Sequence, residues 1–143
     1  MTTINSSILI NRSAADIFDY ISNPLLSTSY HPYIQMNINI RPEQPGLGQT
    51  FDWTYNMTGV KMTGSAKVTE FLRPQKYTLT IWGDIDSKWE YVLEESDGKT
   101  KTTLTISYEI KQKFAKMLDA ITLGRYNQKI LEDALENLKD QME

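Results

Sequence analysis

The sequence predicts an α+β domain in which a curved antiparallel sheet of about seven strands wraps around one long C-terminal helix. Three observations predict it. From residue 33 to 110 apolar and polar residues alternate with a period of two, the pattern of half-buried strands. The alternating runs are joined by short, turn-rich connections, so neighbouring strands pair antiparallel. From Phe114 to Glu143 the period becomes helical, with Phe114, Met117, Leu118, Ile121, Leu131, Leu135, Leu138 and Met142 mostly three or four apart among charged residues.

The order of elements is one strand, two short helices, six strands and the long helix. Residues 3–11 read as the first strand, ended by Asn11-Arg12. Ser13 then suits a helix N-cap with Asp16 three residues on, a capping-box-like pair, and Ile17, Phe18, Tyr20 and Ile21 give that helix its apolar face. Asn23-Pro24 stops it and starts a second helical turn through Leu25 and Leu26. Tyr30-His31-Pro32 breaks structure again.

Ile34, Met36, Ile38 and Ile40 then alternate with polar residues as far as Arg41-Pro42, and PEQPGLG (42–48) is a turn-rich connection. Phe51, Trp53, Tyr55 and Met57 form the next inward face, and Gly59 the turn after it. Met62, Gly64, Ala66 and Val68 follow, then Tyr77, Leu79 and Ile81, then Trp89, Tyr91 and Leu93. Asp97-Gly98 is a strong hairpin signal, and Leu104, Ile106, Tyr108 and Ile110 make the last alternation. Each strand has one apolar and one polar face, so one side of the sheet is wet and the other needs a cover. The long helix is the element large enough to supply it.

A chain of 143 residues fits one domain spanning 1–143, with a core sufficient for unaided folding. The net charge of −3 and the lack of any basic cluster argue against nucleic acid and anionic membrane surfaces as partners. With no cysteine and one histidine, disulfides, thiol catalysis and Cys- or His-rich metal sites are excluded, and neither metal nor cofactor is expected. The polar N-terminus and the lack of a long apolar run predict a cytoplasmic protein without a membrane span. A homodimer is compatible with the composition.

The chain resembles the START-like, helix-grip (SRPBCC) superfamily, which includes polyketide cyclase/dehydrase-like and Bet v 1-like proteins. The resemblance covers nearly the whole chain. It is carried by ILINRSAADIFDYISNP, by the turn PGLGQTF into a strand, and by GSAKVTEFLRPQKYTLT. WEYVLEESDGKTKTTLTISYEI and the closing ILEDALENLKD complete it, and the order and spacing of these strings are more specific than any one of them. The resemblance implies a cavity between sheet and helix for an apolar or amphipathic small molecule.

The predicted inward residues fit that expectation. Trp53, Tyr55, Tyr77, Trp89, Tyr91 and Tyr108 fall on inward faces with Met62, and Met117 and Ile121 face them from the helix. Aromatics and methionines at strand period also suit a plain core. Buried Tyr and Trp need partners for their O–H and N–H, however, and several together suggest polar tips in a cavity. Gly64 and Ala66, small at inward positions, read as leaving room there. These nine aromatic, methionine and isoleucine side chains are the candidate ligand-binding residues.

Candidate catalytic residues are few. His31 stands in a loop that the resemblance puts near one mouth of the cavity; a general acid/base role is weighed against an exposed or loop-bonded histidine, the expected case. Glu70 continues the inward register of Val68, which puts it in the cavity or at the sheet's rim with a raised pKa, or in solvent at the strand's end. G-L-G-Q-T-F at 46–51 lacks the third glycine and leads into a strand, so it is no dinucleotide loop.

Three functions follow in order: a carrier or sensor of a small hydrophobic molecule, a cyclase/dehydratase-type enzyme using cavity acid/base residues, and a protein-interaction domain. In the long helix, Gly124 and the polar run Arg125-Tyr126-Asn127-Gln128 read as close packing or a join between two helical pieces, or as the limit of a movable lid formed by the residues before Gly124 while Ile130–Leu138 anchors the helix.

Overall fold

The computed structural model describes residues 2–57, 59–115 and 120–143, and their side chains except at 115 and 120–126. Strand β1 (Thr2–Ile10) leads to helix α1 (Ala14–Ile21) and a 3₁₀ helix (Pro24–Ser29). Strands β2 (Ile34–Arg41), β3 (Thr50–Met57), β4 (Val60–Leu72), β5 (Lys76–Gly83), β6 (Ile85–Ser96) and β7 (Lys99–Ile110) follow. The chain closes with a short helix α2 (Gln112–Ala115) and the long α3 (Ala120–Met142). All seven strands form one antiparallel sheet in the order β1-β7-β6-β5-β4-β3-β2. β1 reaches β7 across the whole chain; each of β2 to β7 pairs with its neighbour in sequence.

Local chemistry explains the punctuation. Ser13 caps α1, its hydroxyl accepting from the Asp16 amide at 3.2 Å. The reciprocal half of the capping box is absent, because the Asp16 carboxylate turns to Arg12 at 3.1 Å. Glu95 from β6 takes up the Ala14 amide instead, at 2.6 Å. Asn23 caps the 3₁₀ helix at Leu25, with Pro24 at its start. Asp97 and Gly98 both have positive φ, at 54° and 76°, the backbone of a two-residue hairpin turn whose twist matches the strands.

The sheet's inner face and α3 enclose one continuous core. α3 lies beside β1 and presents Leu131, Ala134, Leu135, Leu138 and Met142, all buried, at helical spacing. Burying one leucine of this kind contributes about 1.5–3 kcal/mol. The helix end is tied to β1 and its following turn by polar contacts. Lys139 donates to the Leu9 carbonyl, Arg12 to the Met142 carbonyl, and the Asn11 amide to the Glu143 carboxylate, at 3.0, 2.6 and 2.9 Å.

Two strands depart from strict alternation. β2 carries register shifts between Ile34 and Met36 and between Ile38 and Arg41, and Asn39 has a positive φ of 56°. Ile34 and Asn37 are consequently buried, while Met36 and Ile38, which the period places with Ile34, stand half exposed on this edge strand. β4 shifts register between Val68 and Glu70, so Phe71 rather than Glu70 turns inward, its ring 5.0 Å from Phe18.

Gly64 also differs from its sequence reading. A methyl group there would overlap the Trp82 carbonyl oxygen and the Trp53 ring. The space over Gly64 is therefore the seat of Trp53, whose indole N–H donates to the Ser65 carbonyl at 2.9 Å, and not room for a ligand. Gly64→Ala is expected to destabilise the fold by about 1–3 kcal/mol, the usual range for overpacking. Chemical denaturation checks this, and an unchanged midpoint would contradict the close seating.

Candidate functional site

The chain from Tyr30 to Tyr33 is what builds the site. Backbone bonds hold it on both sides: the His31 amide donates to the Ser27 carbonyl at 3.0 Å, and the Ile34 amide to the His31 carbonyl at 3.3 Å. Asn137 of α3 donates to the Tyr30 carbonyl at 3.1 Å, and Asn37 of β2 to the Pro24 carbonyl at 2.8 Å. The segment so fixed turns three aromatic rings into the core. Tyr30 shares a 2.9 Å hydroxyl–hydroxyl hydrogen bond with Tyr91. Tyr33 donates to Asn127 Oδ1 of α3 at 2.7 Å.

His31 lies between them and is 4 % exposed. It is loop-bonded, as expected, but not exposed. Its ring stacks on Trp89 with centroids 4.8 Å apart and lies nearly parallel to Tyr55 at 6.3 Å. The Tyr33 amide donates to His31 Nδ1 at 3.2 Å, so the neutral ring carries its proton on Nε2. Burial pushes the imidazole pKa down to about 3. His31 is thus a neutral hydrogen-bond donor near pH 7 and a poor general base.

These rings wall a cavity of about 40 Å³ between sheet and α3. At ~10–15 Å³ per water this is room for about three or four. Tyr55 and Met57 line it from β3, Ile85, Ser87 and Trp89 from β6, and Ile106 and Tyr108 from β7. His31 and Tyr33 close one side, Ile4 of β1 another, and Asn127, Ile130 and Leu131 of α3 the top. A second void of about 10 Å³ shares Tyr55 and Trp89 as a wall and reaches Trp53, Tyr77 and Tyr91 beside Tyr30.

Two kinds of polar group meet these voids. Tyr30–Tyr91 and Tyr33–Asn127 are paired within the protein. The tips of Tyr55, Trp89 and Tyr108 have no hydrogen-bond partner among the described residues. None of them belongs to the fully occluded unpartnered atoms there, which are Asn37 Oδ1, Gln49 Oε1 and Thr102 Oγ1. These three polar atoms are therefore not fully occluded, and their residues line the cavity. Desolvation raises the pKa of Tyr30 to about 12 and drives those of Tyr55, Tyr77 and Tyr91 up as well, so every one of these phenols stays neutral.

Of the residues singled out in the sequence, Tyr55, Trp89 and Tyr108 line the cavity, and Trp53, Tyr77 and Tyr91 the smaller void. Met62, 0 % exposed, lines neither and belongs to the core. Met117 and Ile121, in the stretch before Gly124 that is assigned to the lid, lie outside the described side chains. Glu70 is not in the cavity. The β4 bulge puts it on the outer face, where its carboxylate accepts from Thr78 at 2.9 Å and pairs with Lys76 at 3.2 Å. Those two bonds, the threonine's first, hold its pKa below the usual value rather than raising it.

The alternation missed Tyr33, Ser87 and Asn127. Asn127 was discoverable: it stands on the same helical face as Leu131, Ala134 and Leu138. Among the described residues no three carboxylate or histidine side chains converge on a metal site, and no helix is long and apolar enough to cross a membrane.

Burial of a neutral His31 couples folding to pH. The unfolded chain takes up a proton below about pH 6.5 and the folded protein only near pH 3, so the unfolded state binds more protons between those values. Stability is expected to fall as pH drops through that window, by up to about 1.4 kcal/mol per pH unit from this group. In His31→Phe the pH-dependence of the denaturation midpoint should be shallower there; parallel profiles for the two proteins would contradict a buried neutral imidazole.

The geometry has counterparts. The whole chain, residues 1–143, matches the family model described as polyketide cyclase / dehydrase and lipid transport. Among solved structures, a Thermus thermophilus protein superposes with a TM-score of 0.81 at 14% identity, covering 99% of this chain and 97% of that one. A START superfamily protein from Mycobacterium smegmatis gives 0.77 at 12% identity over 98% and 96% of the two chains. Ara h 8.0201 gives 0.69 at 16% over 99% and 97%. No curated protein matches the sequence. The aromatic cavity under a C-terminal helix thus stands in a fold these proteins share, and the chain belongs to the polyketide cyclase/dehydrase and lipid transport family, with the START-like, helix-grip fold.

Proposed function

We propose that this protein binds a small hydrophobic or amphipathic molecule, lipid- or polyketide-like, between the sheet and α3. The observation that carries the reading is the set of unpartnered polar tips, on Tyr55, Trp89 and Tyr108, among the lining of a largely apolar cavity. In a plain core such tips would be paired, since each buried unsatisfied group costs about 1–3 kcal/mol. A ligand with an apolar body and a few polar atoms satisfies them and removes further apolar surface from water. The family description, which names lipid transport, supports the same reading.

The cavity of about 40 Å³ is smaller than such a ligand. Occupancy therefore requires the cavity walls to move apart while the Tyr33–Asn127 bond and the packing of Leu135, Leu138 and Met142 are kept. The polar ties to Leu9, Asn11 and Met142 hold that far end in place.

The family description also names cyclase and dehydrase chemistry, which needs a positioned acid or base. The two candidates for that role do not favour it. Glu70 faces outward in an ion pair, and His31 is neutral with its Nδ1 lone pair already engaged. Binding without turnover is the reading that the described lining supports best.

Titration with the neutral fluorophore N-phenyl-1-naphthylamine tests this. Saturable, stoichiometric binding with a change in tryptophan emission is expected. Ile106→Trp, which fills the cavity from β7, should weaken it by about tenfold or more. Circular dichroism of the variant reports whether the fold is kept. Non-saturable uptake, or equal affinity in a folded Ile106→Trp protein, would remove this site as the place of binding.

A further inference from the structure

The charge and hydrogen-bonding character of the lining says more than that the ligand is apolar. Among the described residues, no aspartate, glutamate, lysine or arginine lines the cavity. The ion pairs of the sheet, such as Lys76–Glu70, Lys88–Glu90 and Lys111–Asp86, are partly exposed and none of their members belongs to the lining. An ionised head group entering here would give up its hydration without gaining a counter-charge from the described lining, which is unfavourable however well its apolar part fits.

Two of the free polar groups are donors only. Asn127 Oδ1 already accepts from Tyr33, and the Ser87 hydroxyl already donates to the Ser107 carbonyl, at 2.7 and 2.9 Å. His31 retains Nε2–H after Nδ1 is engaged by the Tyr33 amide, and Trp89 retains its indole N–H. Both are donors with no capacity to accept. The Tyr55 and Tyr108 hydroxyls can donate as well as accept. A guest that offered only donors would leave both N–H groups unpaired. The stacked planes of His31 and Trp89, with Tyr55 alongside, favour a flat partner.

We infer that the cavity selects an uncharged, flat molecule bearing a hydrogen-bond acceptor of the carbonyl class, and discriminates against carboxylates and amines of the same shape. The inference rests on the binding function proposed above and specifies its ligand class. His31 and Trp89 are the specificity-determining donors, and the paired tyrosines behind them are structural.

Four probes of one shape separate the possibilities at pH 7.5: 2-acetylnaphthalene, 2-naphthoate, 2-naphthylmethylamine and 2-ethylnaphthalene, each titrated by tryptophan fluorescence and calorimetry. The acetyl compound is expected to bind most tightly, about tenfold or more ahead of naphthoate and of the amine, and several-fold ahead of the ethyl compound. In His31→Phe the acetyl-over-ethyl preference should shrink while ethylnaphthalene affinity is retained, a split that general loss of structure would not produce. Naphthoate or the amine binding as tightly as the ketone would overturn the selection for neutrality and leave the binding site intact. Equal affinities for the acetyl and ethyl compounds would overturn the acceptor requirement. Failure of all four probes, together with N-phenyl-1-naphthylamine, would overturn the binding function itself.

Discussion

The structure depends on one constraint: a seven-stranded sheet has an apolar inner face that a single helix must cover. α3 does so completely where Ala134, Leu135, Leu138 and Met142 insert. Its last turn is also locked there to the end of β1 by Lys139, Arg12 and Glu143. Toward Asn127 the cover changes character. The sheet offers rings among its branched aliphatics, and flat rigid rings tile a surface without interdigitating as leucines do. Voids of about 40 and 10 Å³ remain on either side of Tyr55 and Trp89. The cavity is what the helix leaves uncovered, and its position follows from where the helix is fastened.

Much of this was legible in the sequence because the signals are local. The period of two marked the inward aromatics from Trp53 to Tyr108, and each of them is buried. Asp97-Gly98, Ser13 and Asn23-Pro24 acted through their own backbone neighbours, so their turn and caps appear where their chemistry requires. Extending the same rule through a bulge is where it failed. A β-bulge inserts one residue, and with a period of two every side chain beyond it changes face. The shift in β4 put Phe71 against Phe18 and Glu70 on the outer face, and the two shifts in β2 buried Asn37 while exposing Met36 and Ile38.

What the sequence did not disclose depends on contacts between distant segments. His31 stands between a tyrosine and a proline in a loop, and nothing nearby distinguishes it from a surface histidine. Its burial comes from Trp89 and Tyr55, on two different strands, and from a backbone segment that Asn137 of α3 helps to hold. Gly64 shows the same dependence in reverse. Small side chains on an inward face signal space only if no neighbour occupies it, and here Trp53 does. Composition by itself cannot decide between a void and a seat.

Burial also fixes the chemistry of the site. The same desolvation that lowers the His31 pKa raises those of Tyr30, Tyr55, Tyr77 and Tyr91, so all of these groups are uncharged across the range where the fold is stable. A group whose pKa lies several units from ambient pH transfers protons poorly. Its N–H or O–H, kept in a low-dielectric site, makes a stronger and more directional hydrogen bond than it would in water. Packing aromatic residues around the lone histidine thus weakens acid–base catalysis and sharpens recognition through one physical cause. In the described lining, the discrimination left to such a site is by shape and by the match of donors to acceptors, with charge acting only as a penalty on entry.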